Sequence, residues 1–213
     1  FLVGCGVKSS KSSKSTYEEA KIWYTKGEDK LESNDCKGAI WDFSKAIEIK
    51  ADYDLAYFSR GIAKYNLEDF EGALADYDKA IQFNPNQRDN GLIYSTRAEA
   101  KFALHDTLGA INDLNKCLEL EPQYAKGYFM RGLYKFASDN NLEAIVDLDK
   151  AIELDSSQSQ YYMARGLCNS NLKKFKESIA DYSEVIMLDS TNAIAYEMRG
   201  INKNRLHNKS GAC

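Results

Sequence analysis

Proline is almost missing from this chain of 213 residues, which holds only Pro85 and Pro122. With so few helix breakers and 44% apolar residues, the chain reads as one soluble, mostly helical unit rather than a collagen or a disordered tail. A surplus of basic charge is missing too. Twenty-eight Lys and Arg against 32 Asp and Glu leave a formal net charge of −4, so no general field attracts phosphates and nucleic acid is not an expected partner. The five cysteines (Cys5, Cys36, Cys117, Cys168 and Cys213) are odd in number and contain no Cys-x-x-Cys pair. They make neither a zinc ligand set nor a disulfide framework. The composition also excludes a multi-span membrane protein. Histidine is limited to His105 and His207, and no serine or cysteine nucleophile sits in a recognisable context, so no catalytic residue, metal or cofactor is expected. Cys117 and Cys168 read as buried small hydrophobes, and Cys36 as the most exposed thiol within the repeated part of the chain.

What is present is self-similarity. Gly27, Gly61, Ala98, Gly132, Gly166 and Gly200 follow one another at intervals of 34, 37, 34, 34 and 34 residues, and Ala39, Ala73, Ala110, Ala144, Ser178 and Ala212 repeat those intervals. The three extra residues of the irregular step fall near Arg88, Asp89 and Asn90. Five units result, 20–53, 54–87, 91–124, 125–158 and 159–192, with a partial sixth unit or capping helix over 193–213. Each reads as two helices: the first has an aromatic at position 4 of the unit (Trp23, Tyr57, Tyr94, Tyr128, Tyr162, Tyr196), and the second has apolar residues at helical spacing. Small residues at positions 8 and 20 let the two backbones approach, and a large residue at position 24 (Phe43, Tyr77, Leu114, Leu148, Tyr182) fills the space between them.

This pattern closely resembles the tetratricopeptide repeat family. The resemblance implies an all-α fold, a right-handed superhelical solenoid of stacked helix-turn-helix units in which each unit buries its apolar face against its neighbours. Departures are mild: Cys117 and Val185 replace the alanine of position 27, and Ser178 that of position 20. The resemblance also implies an inner face read from positions 2, 5, 9, 12 and 13. Those places hold Leu55, Phe58, Ile62 and Tyr65 in the second unit, Leu92 and Phe102 in the third, Phe129, Leu133 and Phe136 in the fourth, and Met163 and Leu167 in the fifth. They describe an apolar, aromatic-rich groove, with position 12 also packing between helices. Chaperone-binding members grip a terminal carboxylate through Lys, Asn and Arg at set positions. Here Tyr24, Glu28, Ser59, Leu92 and Thr96 occupy those places, and no such clamp is expected.

Arginines recur at position 7 (Arg60, Arg97, Arg131, Arg165, Arg199) and aspartates at position 23 (Asp42, Asp76, Asp113, Asp147, Asp181). The matching numbers point to an internal ladder, each Arg paired with the Asp of the preceding repeat, rather than to a phosphate track.

At the amino end, Phe1-Leu2-Val3-Gly4-Cys5 resembles the close of a bacterial lipoprotein signal peptide, in which the cysteine receives lipid. Residues 1–5 are therefore read as a signal remnant and lipobox, 6–19 as a polar Ser/Lys tether without helical pattern, and 20–213 as the repeat domain. The start on Phe1 rather than Met and the Gly211-Ala212-Cys213 opening of a further helix read as a chain cut at both ends. The expected protein is a noncatalytic scaffold in the bacterial cell envelope. It is held to a membrane by lipid on Cys5, with its repeats facing the periplasm or exterior, and binds a peptide or helix of a partner protein. Self-association through the groove or an exposed end, and an interaction domain within a longer polypeptide, are the alternatives.

Overall fold

The computed structural model describes residues 13–84 and 90–210, with side chains over 15–84 and 90–207. Among them are eleven helices and no strand: α1 (Ser13–Glu32), α2 (Cys36–Ile49), α3 (Asp54–Asn66), α4 (Phe70–Phe83), α5 (Asn90–Ala103), α6 (Thr107–Leu120), α7 (Ala125–Ala137), α8 (Asn141–Leu154), α9 (Ser159–Asn171), α10 (Phe175–Leu188) and α11 (Ala193–Ser210). They fall into two compact units, Phe1–Ala100 and Lys101–Cys213. In the first, α2 packs on α1, α3 on α2 and α4 on α3; in the second, each helix from α7 to α11 packs on the one before it. None of the helices is long and apolar enough to cross a membrane.

The helix pairs close as their spacing demands. Phe43, Tyr77, Leu114, Leu148 and Tyr182 are fully buried. A Cβ built on Gly27, Gly61, Gly132 or Gly166 would lie 2.5, 2.6, 3.0 or 3.1 Å from the ring or branched carbon of Phe43, Tyr77, Leu148 or Tyr182. Position 8 is small because position 24 is large. Ser178, in place of the usual alanine, is accommodated by donating its hydroxyl to the Gly166 carbonyl at 2.7 Å.

The turns inside the repeats share one geometry. Asn34, Glu68, His105, Asp139 and Lys173 all occupy position 15 with φ between 59° and 64°, the left-handed conformation that ends a helix. The next residue caps the second helix: Asp35, Asp69 and Asp106 accept from the amides of Gly38, Gly72 and Gly109 at 2.9–3.0 Å. Asn140 accepts from Glu143 at 3.4 Å, and Lys174 provides no side-chain cap.

Three expectations are corrected. The tether does not extend to residue 19, because α1 begins at Ser13. The stretch leading into Ala20 has no Gly or Pro to stop a helix, and Tyr17 finds the ring of Tyr53 at 5.7 Å. Cys36 is buried, not the exposed thiol of the repeats: as the first residue of α2 it packs with Ala39, Phe43 and Ala63. Asn90, read as part of an insertion, is the first residue of α5, buried and accepting from Asn84 at 2.8 Å.

The charge ladder also runs differently. Arg60, Arg131 and Arg165 bind Asp76, Asp147 and Asp181 of their own repeats, not of the preceding one. Pairing of each first helix with its own second helix through positions 8 and 24 places 7 beside 23. The remaining nitrogen of each guanidinium reaches position 25 of the preceding repeat: Arg60 to Ser44, Arg97 to Asp78, Arg131 to Asn115, Arg165 to Asp149 and Arg199 to Ser183. A second cation, at position 11, was not anticipated: Lys30, Lys64, Lys101 and Lys135 contact Asp42, Asp76, Asp113 and Asp147 at 2.6–2.8 Å. The 34-residue period would have disclosed it, since lysine recurs there as regularly as arginine at 7.

Candidate functional site

The functional candidate grows out of two helices of the second unit. On α7, Phe129, Leu133 and Phe136 are spaced i, i+4, i+7, so they form one stripe. On α9, Gln160, Met163, Ala164 and Leu167 do the same at i, i+3, i+4, i+7. The two stripes meet in an open pocket of about 250 Å³ lined by these seven residues. Beneath it, Phe129, Leu133 and Phe136 rest on a buried cluster of Ala144, Leu148, Ala164 and Cys168, and the Phe129 ring lies 4.8 Å from that of Tyr161. The walls are therefore held by packing before any ligand arrives.

Five of the eleven groove residues expected from sequence line this pocket: Phe129, Leu133, Phe136, Met163 and Leu167. Four others spend their area inside the fold. Phe58, Ile62 and Tyr65 pack on the core of Ala73, Tyr77, Ala80, Ile93 and Ala100, while Phe102 stacks on Tyr134 with centroids 4.0 Å apart. Leu55 and Leu92, 48% and 52% exposed, stand on the surface of the first unit. Gln160 and Ala164 were missed. Gln160 occupies position 2, as Leu55 and Leu92 do, but its polarity hid it; Ala164 occupies position 6, outside the positions read as groove.

The pocket contains no titratable group, and Gln160 is its sole polar lining side chain, so it offers shape and apolar surface rather than acid, base or charge. Its volume lies below the roughly 300–1,000 Å³ usual for small-molecule and cofactor sites. It suits one or two apolar side chains.

A second, polar pocket of about 370 Å³ uses a different face of α9 and is lined by Ile145, Asp149, Arg165, Asn169, Lys174, Glu177, Ala180 and Asp181. Asp149, Arg165 and Asp181 are engaged in the ladder. Arg165 donates to Asp181 at 2.7 Å and to Asp149 at 2.6 Å, and Asn169 donates to Asp181 at 2.9 Å. Burial pushes the Asp181 carboxyl above its ordinary range, with Arg165 opposing the shift. Cys117 and Cys168 are fully buried and their thiols are pushed up to about 11, which makes them poor nucleophiles near neutral pH. Among the described residues no group of three His, Cys, Asp or Glu side chains could hold a metal ion. His105 lies in a turn between paired helices, and His207 belongs to α11. Cys5 and the lipobox lie outside the described residues.

Comparison with known proteins places this geometry in context. Residues 55–87 and 159–192 each match the tetratricopeptide repeat family, at the second and fifth units of the repeat. No curated protein sequence matches the chain. Solved structures share its fold. MamA from Desulfovibrio magneticus RS-1 is 19% identical with a TM-score of 0.76, covering 83% of this chain and 98% of that one. A tetratricopeptide repeat protein from Parabacteroides merdae is 20% identical with a TM-score of 0.76, covering 92% and 76%. YrrB, described as a TPR protein with an unusual peptide-binding site, is 16% identical with a TM-score of 0.74, covering 86% and 93%.

Proposed function

From the premise that this chain is a tetratricopeptide repeat protein, we propose that it is a noncatalytic interaction scaffold. Its ligand is an extended or helical segment of a partner protein, which inserts an apolar side chain between α7 and α9. The observation that carries this reading is the convergence of Phe129, Leu133, Phe136, Met163 and Leu167 on one preformed, almost wholly apolar pocket. Aromatic and aliphatic anchors in such pockets dominate interface energetics, and a pocket largely formed in advance lowers the entropic cost of binding. A fold relative, YrrB, is itself described as having a peptide-binding site.

The test is photo-crosslinking in cells from Gln160, at the exposed rim, with exposed Lys176 on α10 as control. The expected result is a protein captured from Gln160 alone and lost in a Leu167→Trp variant, whose indole fills the pocket. Capture undiminished by Leu167→Trp, or the same proteins from both positions, overturns the reading.

We further propose that Cys5 carries lipid and holds the repeats at a membrane of a bacterial envelope. Support comes from the order Leu2-Val3-Gly4-Cys5 followed by a Ser/Lys-rich stretch. Detergent phase partitioning of the protein made in bacteria, compared with Cys5→Ser, tests it. Equal partitioning of the two proteins into the aqueous phase rejects the anchor.

A further inference from the structure

The chain has two tryptophans, Trp23 on α1 and Trp41 on α2, and they stand together. Their rings meet edge to face with centroids 5.4 Å apart, Trp23 half-buried and Trp41 53% exposed. Lysines surround the pair. The Lys26 ammonium lies 4.2 Å from the Trp23 ring centroid, and those of Lys30 and Lys45 lie 5.8 and 5.7 Å from that of Trp41. Exposed Lys37 stands one turn before Trp41 on the same side of α2, as Lys45 stands one turn after it.

The exposure of Trp41 comes from its place in the repeat. It occupies position 22, and Ala75, Asn112, Val146 and Ala180 at the same position of the following units are exposed too. Val146 is 67% exposed although α8 has α7 and α9 packed against it, so neighbouring helices leave this position open. Alanine at 22 is enough for the fold in the second and fifth units, yet the first unit places its largest side chain there. Only the first unit joins a tryptophan at 22 to lysines at 7, 18 and 26. An indole has an apolar body and a polar N–H, and lysine stems extend along apolar surface while their ammonium groups reach for charge. Together they have the chemistry of the lipid–water boundary, where indoles sit at headgroup level.

We propose that this face of α1 and α2 lies on an anionic lipid surface, with the Trp41 indole among the headgroups and Lys26, Lys37 and Lys45 at lipid phosphates. Charge selects this occupant. The carboxylates on the same two stripes are Glu19 and Glu48; Lys45 shares Glu48 at 2.7 Å, and Lys30 is held by buried Asp42 at 2.6 Å. The local surplus of cations is small, and the sequence enlarges it: residues 6–16 hold Lys8, Lys11 and Lys14 and no acid. Position selects it as well. Ser13, where α1 begins, is eight residues from Cys5, a reach of at most about 28 Å in extended chain, so a lipid on Cys5 brings this helix to the membrane first. The second argument rests on the proposed lipidation and the first does not. The patch fixes which face of the first unit meets the membrane, which a lipid on one residue does not do.

The test uses the full chain with Cys5→Ser and its own tryptophan emission, which arises from this patch alone. Vesicles of phosphatidylglycerol and phosphatidylethanolamine are titrated to millimolar lipid. Expected are a saturable blue shift, quenching by lipids brominated near the headgroup end of the acyl chains, and binding about tenfold weaker to phosphatidylcholine vesicles. In cosedimentation, Trp41→Ala, and separately Lys37→Glu with Lys45→Glu, should each weaken binding about tenfold. Other units already hold Ala75, Glu71 and Glu184 at these positions, and circular dichroism verifies that the chain stays folded. Lys116→Glu with Lys150→Glu changes net charge equally, away from the patch, and should leave binding nearly unchanged. An unshifted spectrum overturns the proposal. So does binding that Trp41→Ala leaves intact, which assigns it to Lys8, Lys11 and Lys14, and so do equal losses from the two charge reversals, which show attraction by net charge alone. Because the tested chain lacks Cys5, these outcomes are independent of whether that residue carries lipid.

Discussion

One substitution made at two equivalent positions should change stability in opposite directions. Gly61 and Gly200 both occupy position 8, so Gly→Ala gains helix propensity at each, about 1 kcal/mol. At Gly61 the new methyl would lie 2.6 Å from Tyr77 Cε1 and 2.8 Å from Cδ1, roughly 1 Å inside ordinary contact. Tyr77 is 1% exposed and packed by Phe58 at 5.9 Å between centroids, so its ring has no free direction to move. Overpacking of this kind costs about 1–3 kcal/mol, which leaves Gly61→Ala between neutral and about 2 kcal/mol destabilised. At Gly200 no atom opposes the methyl, and the gain of up to about 1 kcal/mol stands. A repeat array need not unfold in one step, so the assay is urea denaturation with native-state hydrogen exchange of the α3, α4 and α11 amides. Exchange should quicken in α3 and α4 with Gly61→Ala and slow in α11 with Gly200→Ala. Adding Tyr77→Leu should recover part of the loss, because Leu148 already serves opposite Gly132. If Gly61→Ala stabilises as much as Gly200→Ala, the steric account of position 8 is wrong.

Lys174→Asp supplies the N-cap that α10 lacks and should raise stability by about 1 kcal/mol, measured by urea midpoint; no gain refutes the capping argument. The buried thiols set an alkaline limit. With folded values of about 11 against an unfolded value near 9, Cys117 and Cys168 contribute stability that is complete below pH 9 and is lost as pH rises toward 11, since only the unfolded chain releases those protons in that window. Urea midpoints between pH 8 and 10 should fall less steeply in a Cys117→Ala, Cys168→Ala chain, and an unchanged slope rejects the assignment. Asn169→Lys gives Asp181 the second cation that Asp76 and Asp147 have and should stabilise at pH 7 by about 1 kcal/mol, the size of one net hydrogen bond. That gain depends on an ionised Asp181, so it should shrink as pH falls toward 4; an equal gain at both pH values shows that the new side chain acts by packing alone.

The repeat was legible because its signals are redundant. Small residues at positions 8 and 20 recur six times and a large one at 24 five times, and one steric relation explains all three, so the helix pairs and their partners followed directly. The charge ladder was legible in its members but not in its connections. Arg60 lies near two aspartates in any stack of this kind, Asp42 and Asp76, and only the side-by-side packing of α3 with α4 decides for Asp76. The groove was legible in part. Phe102 and Phe136 share position 12 and residue type, yet one stacks on Tyr134 and the other lines the pocket. The difference arises from the neighbour across the gap, which periodicity does not encode. Gln160 escaped notice because a polar residue at a pocket rim looks like any solvated residue in sequence.

Departures from the repeat pattern cluster in the fifth repeat, and they bear on where the pocket sits. Asn169 replaces the position-11 lysine, so among the described residues buried Asp181 has Arg165 as its only cation, and Arg165 is shared with Asp149. Lys174 replaces the capping Asp or Asn, leaving the first amides of α10 without a side-chain acceptor. Lys173 holds a left-handed turn conformation that a long side chain adopts less readily than Asn or Gly. The first two changes each remove a tie that the second, third and fourth repeats retain, and all three act on α9 or on the turn that follows it. Elements that admit ligands are drawn from the less stable parts of a fold, because insertion of a side chain requires small outward movements of the wall. Across the pocket, α7 keeps Arg131 and Lys135 on Asp147, with Phe129, Leu133 and Phe136 resting on the α8 core. The site therefore combines one firmly tied wall with one that can yield. Restoring the ties to α9 through Asn169→Lys and Lys174→Asp together should stabilise the chain while slowing partner entry into the pocket, two effects that stability alone does not link.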